Sequence, residues 1–321
     1  MPHTLLVLDD EINILNSLKR VLRKEPYQLI LAARCDEAFS LIEKSPPTVI
    51  LSDYLMPEMN GLQFLSQAKK KVPDVVSLIF SGYADMDALI KAIREGGVYN
   101  FIPKPWEDEF LKIEIKRAIE QYDLAQNNRA LRHRLDEEFS AAVELLASLP
   151  RAKEPSLRPN VDRIKEIAMT LGKRVGLEPE ALRDLEVAAR LHDFGTLAIS
   201  SAILNKPDRL THLERKEIEK HVLFPEERLR GMKRFEDVCK IIRHHHEFYN
   251  GEGYPDHLEK DAIPVPSRIL SIAEAYDALL SDRPFRKAFT RPEAATIIKD
   301  GRGKQFDPVL VDLLFEEFGK A

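Results

Sequence analysis

The run His245-His246-Glu247-Phe248-Tyr249-Asn250-Gly251-Glu252-Gly253-Tyr254-Pro255 decides how the second half of this 321-residue chain is read. Paired histidines close a helical pattern. The Gly-Glu-Gly-Tyr-Pro that follows cannot continue a helix, so the chain must form a tight loop beside them. Seven of the nine histidines fall between His192 and His257, with the adjacent pair His192-Asp193 upstream and His221 in between. Imidazole and carboxylate without thiolate is the ligand set of hydrolytic, iron or manganese centres, because structural zinc normally recruits cysteine. An adjacent His-Asp pair lets one carboxylate bridge two cations while the imidazole binds one of them. Cations about 3.5–4 Å apart clamp the entering and leaving oxygens of a phosphoester. Metal-assisted phosphodiester hydrolysis is the expected reaction class.

Upstream, the composition changes. Short β-branched runs at Thr4–Leu8, Tyr27–Ala32, Thr48–Ser52, Val76–Phe80 and Asn100–Ile102 alternate with helical patterns, whereas from Trp106 onward the chain reads helical apart from the loop near Gly251. Continuous apolar strands spaced by helices predict a parallel sheet buried on both faces, an α/β doubly wound, flavodoxin-like fold. Asp9 and Asp10 end the first strand and Asp53 the third, so three carboxylates converge at the carboxyl edge of the sheet, where ligands bind in such folds. A hard cation offsets their repulsion, and Mg²⁺ fits. Ser81 ends the fourth strand and Lys104 follows the fifth.

From Asp108 to Leu149 the sequence has no Gly or Pro, and one continuous helix is expected, about 60 Å long at 1.5 Å per residue. Leu124, Leu131, Leu135, Phe139, Ala142 and Leu146 suit a coiled-coil seam with Asn128 at a polar position, and hence a homodimer. An amphipathic helix packed on its own chain is the alternative. Pro150, Pro155 and Pro159 are expected to break the helix. The expected domains are thus residues 1–122, a helical linker at 123–150, and an all-α helical bundle at 151–321. No apolar run reaches membrane-spanning length and no basic leader precedes the first strand, so a cytoplasmic protein without membrane contact is expected. A net charge of −5 offers no general surface for nucleic-acid polymers. Cys35 and Cys239 fall in different domains, and a disulfide is not expected in a reducing compartment.

Ser52-Asp53-Tyr54-Leu55-Met56-Pro57, with Asp9, Asp10, Ser81 and Lys104, resembles the receiver domain of response regulators over essentially its whole length. The resemblance implies phosphorylation of Asp53 by a sensor histidine kinase, Mg²⁺ held at Asp9 and Asp10, and Ser81 and Lys104 tracking the phosphoryl oxygens. Phe101 fits the family's switch aromatic or is a plain sheet residue. The peptide between Lys104 and Pro105 is often cis in receivers.

The second half resembles the HD-GYP subgroup of HD-domain phosphohydrolases, whose usual substrate is cyclic di-GMP. The match runs over residues 157–321 through His192-Asp193-Phe194-Gly195, Ala202 to Pro207 with Leu210-Thr211, His221, the His-His-Glu to Gly-Tyr-Pro run, Ile263-Pro264, Arg268-Ile269, Tyr276-Asp277-Ala278-Leu279, Asp282 to Arg286, and Gln305-Phe306-Asp307-Pro308. It implies two divalent metals, iron or manganese, held by His192, Asp193, His221, His245, His246 and Glu274, with His192 and Asp193 central to catalysis. His244 falls outside the register and reads as a helix residue or a supporting donor. Gly253 and Tyr254 are expected over the substrate, Tyr254 either stacking on guanine or bonding phosphate, with a turn Tyr as the alternative. Asp277, Arg283 and Arg286 are expected near the nucleotide, although Arg283 equally suits a local salt bridge.

Four departures stand out. Glu274 replaces the usual Asp, and Thr196 replaces a Lys that would neutralise phosphate. Asn160 and Ser156 stand where a third metal's ligands are common. Pro225 replaces a Gly after His221. The reading is a regulator whose phosphorylation controls hydrolysis of cyclic di-GMP to the linear dinucleotide, GMP or both. A metal-binding dinucleotide receptor with little turnover, and hydrolysis of another cyclic dinucleotide, stay open beside it.

Overall fold

A computed structural model describes residues 3–57, 59–82, 91, 93–94, 96–154, 160–206, 208–282 and 286–319. The chain divides into two compact units, Met1–Asp136 and Glu137–Ala321. In the first, β1 (Thr4–Leu8), β2 (Gln28–Ala32), β3 (Val49–Asp53), β4 (Val76–Ser81) and β5 (Asn100–Pro103) form one parallel sheet in the order β2-β1-β3-β4-β5. This is the expected fold class.

Alternation within the apolar runs explains why both faces are covered. Leu6, Leu8, Ile50 and Ile79 enter one core with Ala38 and Ile42 of α2 (Cys35–Lys44) and Phe64 and Leu65 of α3 (Gly61–Lys71). Their neighbours Leu5, Val7, Leu51, Leu78 and Phe80 enter the other, with Leu18 of α1 (Ile12–Val21) and with Leu111 and Ile115. Because β1 and β3 lie side by side, Asp9 and Asp53 meet at the same sheet edge.

Leu111 and Ile115 belong to α4, which runs from Asp108 to Lys153 and so passes Pro150. The expectation that Pro150 breaks the helix is therefore corrected. A proline in a helix interior costs about 3 kcal/mol. Here it falls in the last turn, is buried, and accepts the Glu154 N–H at 2.8 Å, so packing offsets the one lost donor. Pro155 and Pro159 lie outside the described residues.

The expected seam separates onto two faces. Leu124, Leu131 and Leu135 are 57%, 56% and 50% exposed, and the 3–4 spacing continues through exposed Ala142 to Leu145 and Leu149. Phe139 and Leu146 instead pack on the second unit's own core with buried Val143, and the Phe139 ring lies 5.0 Å from Phe235. Phe139 and Leu146 thus follow the alternative of a helix packed on its own chain, while Leu124, Leu131 and Leu135 face solvent.

The second unit is helical: α5 (Val161–Arg174), α6 (Pro179–Leu191), α7 (Ser201–Leu204), α8 (His212–Glu219), α9 (Phe224–Leu229), α10 (Glu236–His244), α11 (Val265–Leu279), α12 (Arg291–Asp300) and α13 (Pro308–Phe318). Ile164 and Leu171 of α5, Leu185 of α6, Val238 and Ile242 of α10 and Ile269 and Ile272 of α11 share one core. Reciprocal capping boxes start α8 at Thr211 and Glu214 and α12 at Thr290 and Glu293. No helix among the described residues is long and apolar enough to cross a membrane.

Removal of the Phe139 ring is expected to destabilise the second unit by about 2–3 kcal/mol, while Leu131→Ala stays within about 0.5 kcal/mol in dilute protein. Urea unfolding followed through amide exchange of α5 checks this; equal effects would contradict the division into two faces.

Candidate active site

In the first unit, the Lys104 ammonium lies 2.8 Å from Asp9 Oδ2 and 2.6 Å from Asp53 Oδ1. Burial works against its charge, but the two carboxylates outweigh this and push the Lys104 pKa up. Burial pushes Asp9 up despite Lys104, and Asp9 Oδ1 accepts the Glu11 N–H at 2.9 Å. Asp10 is exposed at the end of the strand. Ser81 is buried, with its hydroxyl on the Gly82 carbonyl at 2.8 Å, and Phe101 is half-buried against the α2–α3 face. The Lys104–Pro105 peptide is cis.

In the second unit, helix ends bring four imidazoles and two carboxylates together. His192 follows α6, His221 sits in the 3₁₀ turn Lys220–Val222, and His245 and His246 follow α10, while Glu274 projects from α11. Ligand atoms of His221, His245 and His246 all lie within 4.8 Å of one another. Glu274 Oε2 is 3.3 Å from His245 Nε2 and 3.9 Å from His246 Nε2, and Asp193 Oδ2 is 3.3 Å from His192 Nε2. The His192 and His245 rings stand 6.3 Å apart, which links the two groups.

Each of three rings gives Nδ1 to the carbonyl three residues back: His192 to Ala189 at 2.9 Å, His221 to Ile218 at 2.8 Å, and His245 to Ile242. A carbonyl only accepts, so Nδ1 carries a proton and Nε2 is the nitrogen that faces inward. Nε2 of His192 and of His245 are buried without a hydrogen bond. Burial, then His245, pushes His221 and His246 down, so both hold lone pairs at neutral pH. Burial would raise Asp193 and Glu274, yet His192 holds the first below its usual range and His246 holds the second far below it. Burial opposes a charge on His192, but Asp193 outweighs it and pushes that imidazole up to about 10. The field that holds a proton there suits a divalent cation, and the donor set fits one.

Two close approaches fix the loops. A Cβ at Gly195 would fall 1.8 Å from the His221 carbonyl oxygen, so only glycine lets the turn after His192-Asp193 reach His221. A Cβ at Gly253 would fall 2.1 Å from the Phe248 nitrogen, so glycine lets the loop fold back on His246-Glu247-Phe248. That places the Tyr254 ring 5.0 Å from His246 at 31°, with burial pushing its hydroxyl pKa up.

The sequence pattern alone gives Glu247 no role. It is 2% exposed and accepts the N–H groups of Asp256 at 2.6 Å and Leu258 at 3.1 Å. Arg243 clamps Asp256 in a fork at 2.7 Å for both bonds and holds Asp256 down to about 2, and His244 Nε2 reaches the same carboxylate at 3.0 Å. The sequence signal was a carboxylate between the paired histidines and a glycine-rich loop full of unpaired N–H groups.

Two residues expected near the nucleotide have partners within the unit. Asp277 is 1% exposed, with Oδ1 on Arg163 Nε at 2.6 Å and Oδ2 on the Asn160 N–H at 3.2 Å, so it anchors the start of α5. Arg286 donates to the carbonyls of Ala278 at 2.8 Å and Lys287 at 2.7 Å and lies over Phe289, so it holds the turn after α11. Arg283 and Ser156 lie outside the described residues. Asn160 spends its side-chain oxygen capping Arg163. Thr196 turns inward, its hydroxyl on the Asp193 carbonyl at 2.7 Å.

The sequence profile of the response regulator receiver domain matches residues 5–116, and that of the HD domain matches residues 144–310. The chain belongs to the response regulators that carry a receiver domain followed by an HD domain. It is 31% identical to the cyclic di-GMP phosphodiesterase response regulator RpfG of Xanthomonas campestris pv. campestris, over 97% of this chain and 86% of that protein. A cyclic di-GMP phosphodiesterase of Thermotoga maritima is 26% identical over 96% of this chain and 89% of its own. The 3'3'-cGAMP-specific phosphodiesterase 2 of Vibrio cholerae is 31% identical over 70% of this chain and 44% of its own.

Glu247→Ala removes the acceptor of two loop N–H groups and is expected to cost about 1–3 kcal/mol locally. Amide exchange over residues 251–258 should accelerate while bound metal per chain stays constant; unchanged exchange would mean that Arg243 and Asp256 hold the loop alone.

Proposed function

We propose that phosphorylation of Asp53 by a sensor histidine kinase controls hydrolysis of cyclic di-GMP in an HD-GYP-type output domain, giving the linear dinucleotide, GMP or both. One observation carries the reading: largely buried imidazoles, two of them with inward Nε2 atoms that have no hydrogen bond, converge with two carboxylates held ionised. In it, His192, Asp193, His221, His245, His246 and Glu274 hold two divalent cations, iron or manganese, and Asp9, Asp10 and Asp53 hold Mg²⁺ in the receiver. Bound cations supply Lewis acidity to a phosphodiester oxygen. The chain's own groups do the rest. Backbone carbonyls lock the imidazole tautomers, Asp193 and Glu274 supply the negative field, and Tyr254 forms a wall beside His246 on which a base can stack. The exposed leucine stripe of α4 supports a homodimer through that helix.

A receptor with little turnover is the second reading, favoured by Thr196, a neutral residue where a Lys is usual, with its hydroxyl turned onto the Asp193 carbonyl. A different cyclic dinucleotide is a third outcome, supported by the relative specific for 3'3'-cGAMP.

Protein loaded with manganese or iron is expected to convert cyclic di-GMP to linear products resolved by chromatography, with Asp193→Ala losing both metal and at least about a hundredfold in rate. Thr196→Lys should raise turnover or affinity, with a gain that shrinks as salt rises. Binding without turnover would select the receptor.

Beryllofluoride with Mg²⁺ is expected to change dinucleotide turnover or affinity in the native chain, and Asp53→Ala to abolish that response with the metal content unchanged. A response that survives in Asp53→Ala would remove Asp53 as phosphoacceptor.

A further inference from the structure

The last turn of α4 grips the segment that follows the His-Asp pair. The Lys153 ammonium donates to the Leu197 carbonyl at 2.8 Å and to the Ile199 carbonyl, and reaches the Thr196 carbonyl at 3.5 Å. Glu154, buried, accepts from the Asn205 side chain. Pro150 is buried in the wall of a small cavity that it shares with His192, Asp193 and Phe194. Between these points the Thr196 N–H and hydroxyl both bond the Asp193 carbonyl, at 2.9 Å and 2.7 Å. A cation on several carbonyls makes charge-assisted bonds, stronger than neutral ones, and an ammonium can hold three at once.

We propose that Lys153 is a positioning residue for the metal centre, setting the placement of the Thr196–Ile199 turn and, through Thr196, of Asp193, so that the end of α4 and the His-Asp pair move as one. The proposal rests on the reading of His192 and Asp193 as metal ligands. It gives α4 a chemical contact with the site: the helix carries Leu111 and Ile115 in the receiver core at one end and Lys153 at the other. It also assigns Thr196 a use as the link between that turn and Asp193.

The test compares the full chain with Lys153→Met, which keeps the apolar stem and removes the charge, and Lys153→Arg, which keeps a cationic donor. Mn²⁺ affinity is read by electron paramagnetic resonance, and amide exchange over residues 194–200 by mass spectrometry. Lys153→Met is expected to weaken Mn²⁺ binding about tenfold, the lower end for loss of a group that orients a ligand, and to speed exchange in this segment. Lys153→Arg should stay within about threefold of the native affinity, a rescue that loss of packing alone would not give. Native Mn²⁺ affinity in Lys153→Met would overturn the proposal. If the unaltered chain itself binds no Mn²⁺, the metal-centre reading fails on its own account and the exchange data decide: faster exchange in Lys153→Met with recovery in Lys153→Arg upholds the positioning role, and equal rates refute it.

Discussion

The output unit is organised around one constraint: His192, His221, His245 and His246 share a largely buried space with Asp193 and Glu274. Burying polar and charged groups without partners is costly, and here the helix ends resolve it. The last carbonyls of a helix have no intrahelical donor. Ala189, Ile218 and Ile242 spend theirs on an imidazole Nδ1 and thereby fix which nitrogen faces the carboxylates. The bundle's helices therefore stop where they do for the sake of the site as well as the core.

The neighbouring loops follow from the same demand. Gly195 and Gly253 are needed because backbone segments meet at distances that no side chain permits. Glu247 and the Arg243–Asp256 fork then hold the Tyr254 loop over the cluster from outside it. Thr196 belongs to this scaffold more than to a phosphate site, since its hydroxyl is committed to Asp193. Charge neutralisation of a bound phosphodiester would then fall mainly to the cations and to groups other than Thr196.

The first unit solves a similar problem with a different group. Asp9 and Asp53 are brought to one edge by the pairing of β1 with β3, and the Lys104 ammonium lies between them. Modification of Asp53 would have to break or redirect that ion pair, which is how a local change of charge biases a two-state element. Helix α4 takes part in both units, with an inner face packed through Phe139, Val143 and Leu146 and an outer stripe of leucines facing solvent.

The sequence by itself determined the chemistry and the classes of structure. Apolar runs with alternating sides specified the five-stranded sheet, and clustered histidines without thiolate set the donor types available at the cluster, because those patterns are local in the chain. It could not assign partners. Nothing in the pattern around Asp277 shows that Arg163, 114 residues away, lies against it, or around Arg286 that the carbonyls at the end of α11 take its donors. The leucine pattern of α4 was legible as a period but not as two faces, since only the packed core decides that Phe139 and Leu146 turn inward while Leu145 and Leu149 do not. Lys153 carries no motif and Glu247 lies in one without a role that the pattern states; their roles come from backbone N–H and carbonyl groups that tertiary folding brings within reach. Periodicity and residue type are properties of a chain, whereas burial and hydrogen-bond partnership exist only once distant segments have been packed together.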